Sequence, residues 1–203
     1  MGKPEFDKTR GWTTLYVTRK MEAQMSAERV ASELTVAILP LGEISPWQIQ
    51  LTELVLKKEF EVKTIVLPTT EIPRQFFNAE SGRFQVILTL YFLLFHLPNE
   101  AQRILGVTEN DLEFDGTFQC IGCADFNDEV AIYSVPRMQG QQLNESDRDA
   151  ISYHLIVHEF GHTLGLQHCN QSDCAMKSGS DNLTLCVSCQ QLADCEIVKI
   201  VTR

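Results

Sequence analysis

Residues 158–168 read His-Glu-Phe-Gly-His-Thr-Leu-Gly-Leu-Gln-His, an HExxHxxGxxH pattern. Few arrangements of side chains restrict a chain so tightly. Residues four apart stack on one face of a helix, so His158 and His162 can present ring nitrogens to the same ion. Glu159 lies about 100° round the helix and can reach a water on that ion without ligating it. A third ligand from the next helical turn would be carried away along the axis. Gly165 therefore has to stop the helix, with φ positive, so that the chain doubles back and delivers His168. Three neutral imidazoles leave one tetrahedral position open, which is the pattern of a catalytic rather than a structural zinc. His154 extends the same face by one more turn, but three stacked histidines span about 12 Å, too far for one ion. It is expected beside the site and not in it. His96, at the end of an apolar run, is expected to satisfy a helix C-terminus.

A second cluster starts immediately. Cys169 follows His168, Cys174 comes five residues later, and Cys186-Val187-Ser188-Cys189 forms a CxxC. Four thiols so spaced fit a closed tetrahedral zinc site that would pin the stretch carrying His168. Cys120-Ile121-Gly122-Cys123 is a further CxxC. It reads first as two idle thiols, with a redox pair or an alternative metal site as the other readings. Cys195 is the odd thiol.

The rest of the chain supplies a scaffold. Leu34–Leu41 reads as a buried strand, Ser45-Pro46 as a helix start, and Val62–Leu67 as a second strand. An apolar helix is expected near 82–96, further strands within 104–114 and 130–135, and a long helix capped by Ser146 that carries the histidines. This order is that of an α/β (α+β) layer with some parallel pairing. Residues 1–33 are polar and weakly patterned and are expected to be a weakly structured extension, leaving 34–203 as one domain.

Composition narrows the function. With 17 Lys+Arg against 27 Asp+Glu the net charge is −10, the wrong sign for a phosphate-binding nucleic-acid protein or a polybasic membrane anchor. The longest apolar stretch, Phe84–Leu97, spans 14 residues, against the ~20 a membrane helix needs. No secretory h-region stands at the N-terminus, and clustered cysteines in a chain of this size read as metal ligands in a reducing compartment, so a cytoplasmic location is expected. No nucleic-acid or membrane partner is expected; the oligomeric state is open.

The run from His158 to Met176, HEFGHTLGLQHCNQSDCAM, with the CxxC at 186–189, resembles the archaemetzincin family of metzincin-type zinc metallopeptidases. Leu105-Gly106-Val107-Thr108 with Asp111-Leu112 is similar to the family's LGVT-x-x-DL segment, so the likeness runs from about Leu34 to Cys189. The resemblance implies a zincin-like domain, a small mixed sheet with an active-site helix and a C-terminal segment stabilised by zinc on four cysteines. It makes His158, His162 and His168 the ligands of a catalytic zinc, Glu159 the general base, Met176 the Met-turn residue, and Cys169, Cys174, Cys186 and Cys189 the holders of a second zinc. Two features depart from the family: the interval between Met176 and Cys186 is short, and the CxxC at 120–123 stands where the family has a glycine-containing loop.

The expected function is hydrolysis of peptide bonds by water activated through Glu159 and zinc, with aminopeptidase action on short peptides suggested by the family. The substrate would lie along an edge strand, with Val130–Val135 the candidate; Tyr133 reads first as a strand tyrosine that simply packs, with help in holding the oxyanion as the other reading. The competing reading is a zinc-binding regulatory or scaffold protein on the same fold with little turnover.

Overall fold

The computed structural model describes residues 33–116, 118–125, 129–135 and 144–202. The expected N-terminal extension, up to residue 32, and the loop at 136–143 lie outside the described residues. Strand β1 (Thr35–Leu41) leads into α1 (Pro46–Phe60), then β2 (Lys63–Val66). After β3 (Phe77–Asn78) and β4 (Arg83–Gln85) comes α2 (Val86–Phe95). Strands β5 (Arg103–Thr108), β6 (Leu112–Phe114), β7 (Phe118–Cys120), β8 (Gly122–Ala124) and β9 (Val130–Ser134) follow. The chain then forms α3 (Glu145–Thr163) and α4 (Val187–Val201).

The principal sheet has the order β2-β1-β5-β9-β8, parallel except for β8, which runs antiparallel to β9. Its strands are apolar on both faces because helices cover both. Val36 and Ile38 of β1, Leu105 and Val107 of β5, and Ala131 and Tyr133 of β9 pack into the core shared with α1 and α3. Their alternates, including Ala37, Leu39, Ile104 and Ile132, pack beneath α2 with Leu90 and Leu93. Close approach of α2 explains Gly106: a β-carbon there would lie 2.7 Å from Leu93 Cδ1.

Three expectations need correction. The apolar segment 104–114 is two strands in different sheets, since the turn at 109–111 hands the chain to a small second sheet of order β3-β4-β6-β7. That sheet is built from strands of two or three residues, too short for a periodic signal. The cap of α3 is Asn144, whose side chain accepts from Asp147 N–H at 2.8 Å, two residues before Ser146. Both are good cap residues, and the backbone chooses the earlier one. Finally, β9 lies inside the sheet; the edge is β8.

Tyr133 therefore has no route to a substrate. Its side chain is fully buried, and Gln48 Nε2 donates to its hydroxyl at 3.0 Å. Thr52 donates its own proton to the Gln48 carbonyl at 2.7 Å, so the Tyr133 hydroxyl donates to Thr52 Oγ1 at 2.8 Å. Burial pushes the phenol up from 10.0 to about 12, with the two hydrogen bonds partly opposing. The folded phenol thus keeps its proton where the unfolded one loses it. Its contribution to stability is constant below pH 10 and is lost between pH 10 and about 12, by about 3 kcal/mol at 1.36 kcal/mol per unit. Tyr133→Phe should cost about 1–3 kcal/mol at neutral pH, by leaving Gln48 Nε2 without its acceptor and Thr52 Oγ1 without its donor. Denaturant melts of the two proteins should then converge between pH 10 and 12. An unchanged gap across that interval contradicts this assignment.

Candidate metal centre

The helix α3 ends as the sequence requires. Gly165 has φ +75°, its N–H bonds to the His162 carbonyl at 2.9 Å, and Leu166 N–H reaches back to the Gly161 carbonyl at 3.1 Å. This is a Schellman stop. Arg103 Nε takes the Thr163 carbonyl at 2.9 Å, tying the end of the helix to β5. The chain doubles back, and one ring nitrogen from each of His158, His162 and His168 lies within 4.8 Å of the others.

Two rings are held from behind. The Nδ1 of His158 donates to the Ala175 carbonyl at 2.7 Å, and that of His162 donates to the Leu166 carbonyl at 2.7 Å. A carbonyl can only accept, so each neutral ring carries its proton on Nδ1 and presents an unprotonated Nε2. The two Nε2 atoms face each other at 3.2 Å. Tetrahedral zinc with Zn–N near 2.0–2.1 Å sets its nitrogens about 3.3 Å apart. Facing lone pairs at that separation repel until a cation stands between them, so the donor set fits zinc. Burial lowers the His158 pKa to about 4, and it lowers that of His162 as well, keeping both rings in the ligating form.

Glu159 is 7% exposed and burial alone raises its carboxyl to about 8. Its carboxylate lies against β8, where Gly122 leaves room for it. Met176 is fully buried; a β-carbon on Gly161, the residue before His162, would come 2.6 Å from its Sδ. His154 is outside the histidine trio and its Nδ1 donates to the Asn182 carbonyl at 2.6 Å. His96 caps α2, with Nδ1 at 2.8 Å from the Phe92 carbonyl.

The four Sγ atoms of Cys169, Cys174, Cys186 and Cys189 also lie within 4.8 Å of one another. Cys169 and Cys186 are 3.9 Å apart, close to the roughly 3.8 Å that Zn–S bonds of 2.3 Å impose in a tetrahedron. The backbone N–H of Cys189, with help from neighbouring thiols, lowers the Cys186 thiol, while burial raises Cys174 and Cys189. One sulfur is eased toward the thiolate and its neighbours are held away from it, while a dication would favour the thiolate at all four. The clusters are joined through the chain: Ala175, which holds His158, sits between Cys174 and Met176, and the Met176 carbonyl accepts from Cys169 N–H at 2.9 Å.

Cys120 and Cys123 belong to neither group. Both are half-buried free thiols beside the core under α2, and burial pushes them up to about 12 and about 11. Cys195 is exposed on α4. A cavity of about 390 Å³ opens beside the centre, bounded by Ile121, Ile151, Leu155 and residues 178–181. His158, Glu159 and His168 line it as well; sequence reading named those three but not the other walls, which come from separate segments and carry no motif of their own.

The model of Peptidase family M54 matches residues 53–186. The chain is 28% identical over 149 residues to an archaemetzincin of Methanocaldococcus jannaschii, covering 70% of this chain and 79% of that one. It is 26% identical to an archaemetzincin of Haloquadratum walsbyi over 78% of this chain and 99% of the relative. Its fold matches the crystal structure of archaemetzincin from Archaeoglobus fulgidus complexed with malonate, with a TM-score of 0.66 and 25% identity, covering 78% and 99% of the two chains. Archaemetzincin from Methanopyrus kandleri shares the fold at a TM-score of 0.69 and 21% identity, over 84% and 97%. With a family match spanning most of the metal centre and its scaffold, the chain belongs to peptidase family M54, the archaemetzincin zinc metallopeptidases.

Proposed function

We propose that residues 34–203 form a peptidase domain that binds two zinc ions and hydrolyses peptide bonds with Glu159 as general base. His158, His162 and His168 would hold the catalytic ion, and Cys169, Cys174, Cys186 and Cys189 a structural one. The observation that carries this reading is the pair of Nε2 atoms facing at 3.2 Å beside a buried carboxylate. Zinc in the histidine site supplies Lewis acidity and makes water acidic enough to lose a proton near neutral pH.

The chain's own groups do the rest. Ala175 and Leu166 carbonyls fix the ring tautomers, which keeps the ligands basic and correctly turned. Glu159, buried and proton-hungry, accepts the proton of the attacking water and returns it to the leaving amine. Among the described residues the edge strand β8 has one side without a sheet partner, so an extended peptide can add to it as a further strand. A side chain of that peptide has the apolar cavity beside Ile121 to enter.

Digestion of a random peptide library by the zinc-loaded protein, read by mass spectrometry, tests this. Cleavage that depends on Glu159 supports it, and products shortened by only their N-terminal residue assign aminopeptidase action on short peptides. Two bound zinc ions with no cleavage at any pH favour a binding or scaffold role and overturn the peptidase reading.

A further inference from the structure

The segment Cys120-Ile121-Gly122-Cys123 is left over once the two metal sites are assigned. Its glycine is not required by the backbone, because φ at Gly122 lies outside the left-handed region. The requirement is spatial. A β-carbon at 122 would lie 2.3 Å from Glu159 Oε1, 2.6 Å from Cδ and 2.7 Å from Cγ. All three are inside any real carbon contact, so the carboxylate would have to move, and the cavity that Glu159 lines gives it room to do so. The carboxylate of Glu159 occupies the place where a side chain on the edge strand would stand.

We propose that Gly122 is a positioning residue for the general base: its missing side chain lets Glu159 lie across β8, at the point where a peptide added to that strand must pass. The proposal rests on the peptidase reading of Glu159. Its neighbours in the CxxC, Cys120 and Cys123, are half-buried free thiols outside both metal clusters, so the glycine is the member of that motif on which the base depends.

In the zinc-loaded protein, Gly122→Ala should lower kcat about 10²-fold, the scale for displacing a catalytic group by roughly 1 Å. KM, zinc content and melting temperature should stay near those of the unaltered protein. A merely structural role is distinguished by coupling. Glu159→Asp withdraws the carboxylate by about one methylene, so it should cost much less in the Gly122→Ala background than alone. Wild-type kcat in Gly122→Ala, additive losses in the double variant, or loss of zinc and melting temperature together with kcat would each overturn the assignment. Crystal structures of the unaltered protein and Gly122→Ala decide the point without turnover: a displaced Glu159 carboxylate supports it, and an unmoved one contradicts it. Absence of any hydrolysis by the unaltered protein would defeat the peptidase reading while the two structures still report on Gly122.

Discussion

Glu159→Ala is expected to reduce kcat on any cleavable peptide by roughly 10²–10⁴-fold, the usual contribution of a positioned acid–base group. Zinc content should remain that of the unaltered protein. The separation of these two readouts follows from geometry. The nitrogens proposed to hold the ion come from His158, His162 and His168, and the two helix-borne rings are braced by the Ala175 and Leu166 carbonyls, not by Glu159. Glu159 reaches instead toward the edge strand. Removing it takes away a proton acceptor and leaves the ring trio in place. A variant that cleaves as fast as the parent would show that the proton moves by another route; one that loses zinc would show that the carboxylate is part of the metal's support.

The second large effect is expected at the sulfur cluster. Cys174 is fully buried, and its neighbour Ala175 supplies the carbonyl that holds His158 Nδ1. Cys174→Ser should remove one of two zinc ions and lower the melting temperature sharply, because the binding energy of a structural zinc is folding energy. It should also weaken the histidine site by about 10–100-fold, the scale for losing a partner that orients a metal-ligating ring. Zinc titration monitored with a chelator of known affinity separates the two losses. Full affinity at the histidines after loss of the cysteine ion would mean that the loop around Ala175 holds its shape unaided.

The parts of this arrangement that sequence reading reaches are the ones with a fixed physical period. The i, i+4 histidines, the glycine that reverses the chain at 165 and the cysteine spacing each tie a residue type to a backbone shape, and the structure brings the named side chains together. The long strands were legible for the same reason: both faces are buried, so they read as continuous apolar runs. The rest depends on contacts between distant segments. Nothing local in Val130–Val135 says that three further residues, Gly122–Ala124, will pair outside it and take the edge. Tyr133 looks like a candidate near the site only until Gln48 and Thr52, some 80 residues earlier, are seen to close over its hydroxyl. The importance of Gly122 is likewise invisible locally, since no turn or bend demands a glycine there.

The central claim is that one divalent ion sits between the rings of His158, His162 and His168. Anomalous scattering at the zinc absorption edge, on crystals grown with zinc, tests it most directly. Two peaks per chain are predicted, one equidistant from the three histidine nitrogens and one within the four cysteine sulfurs. A single peak at the cysteines, with the histidine rings empty at saturating zinc, would contradict the account.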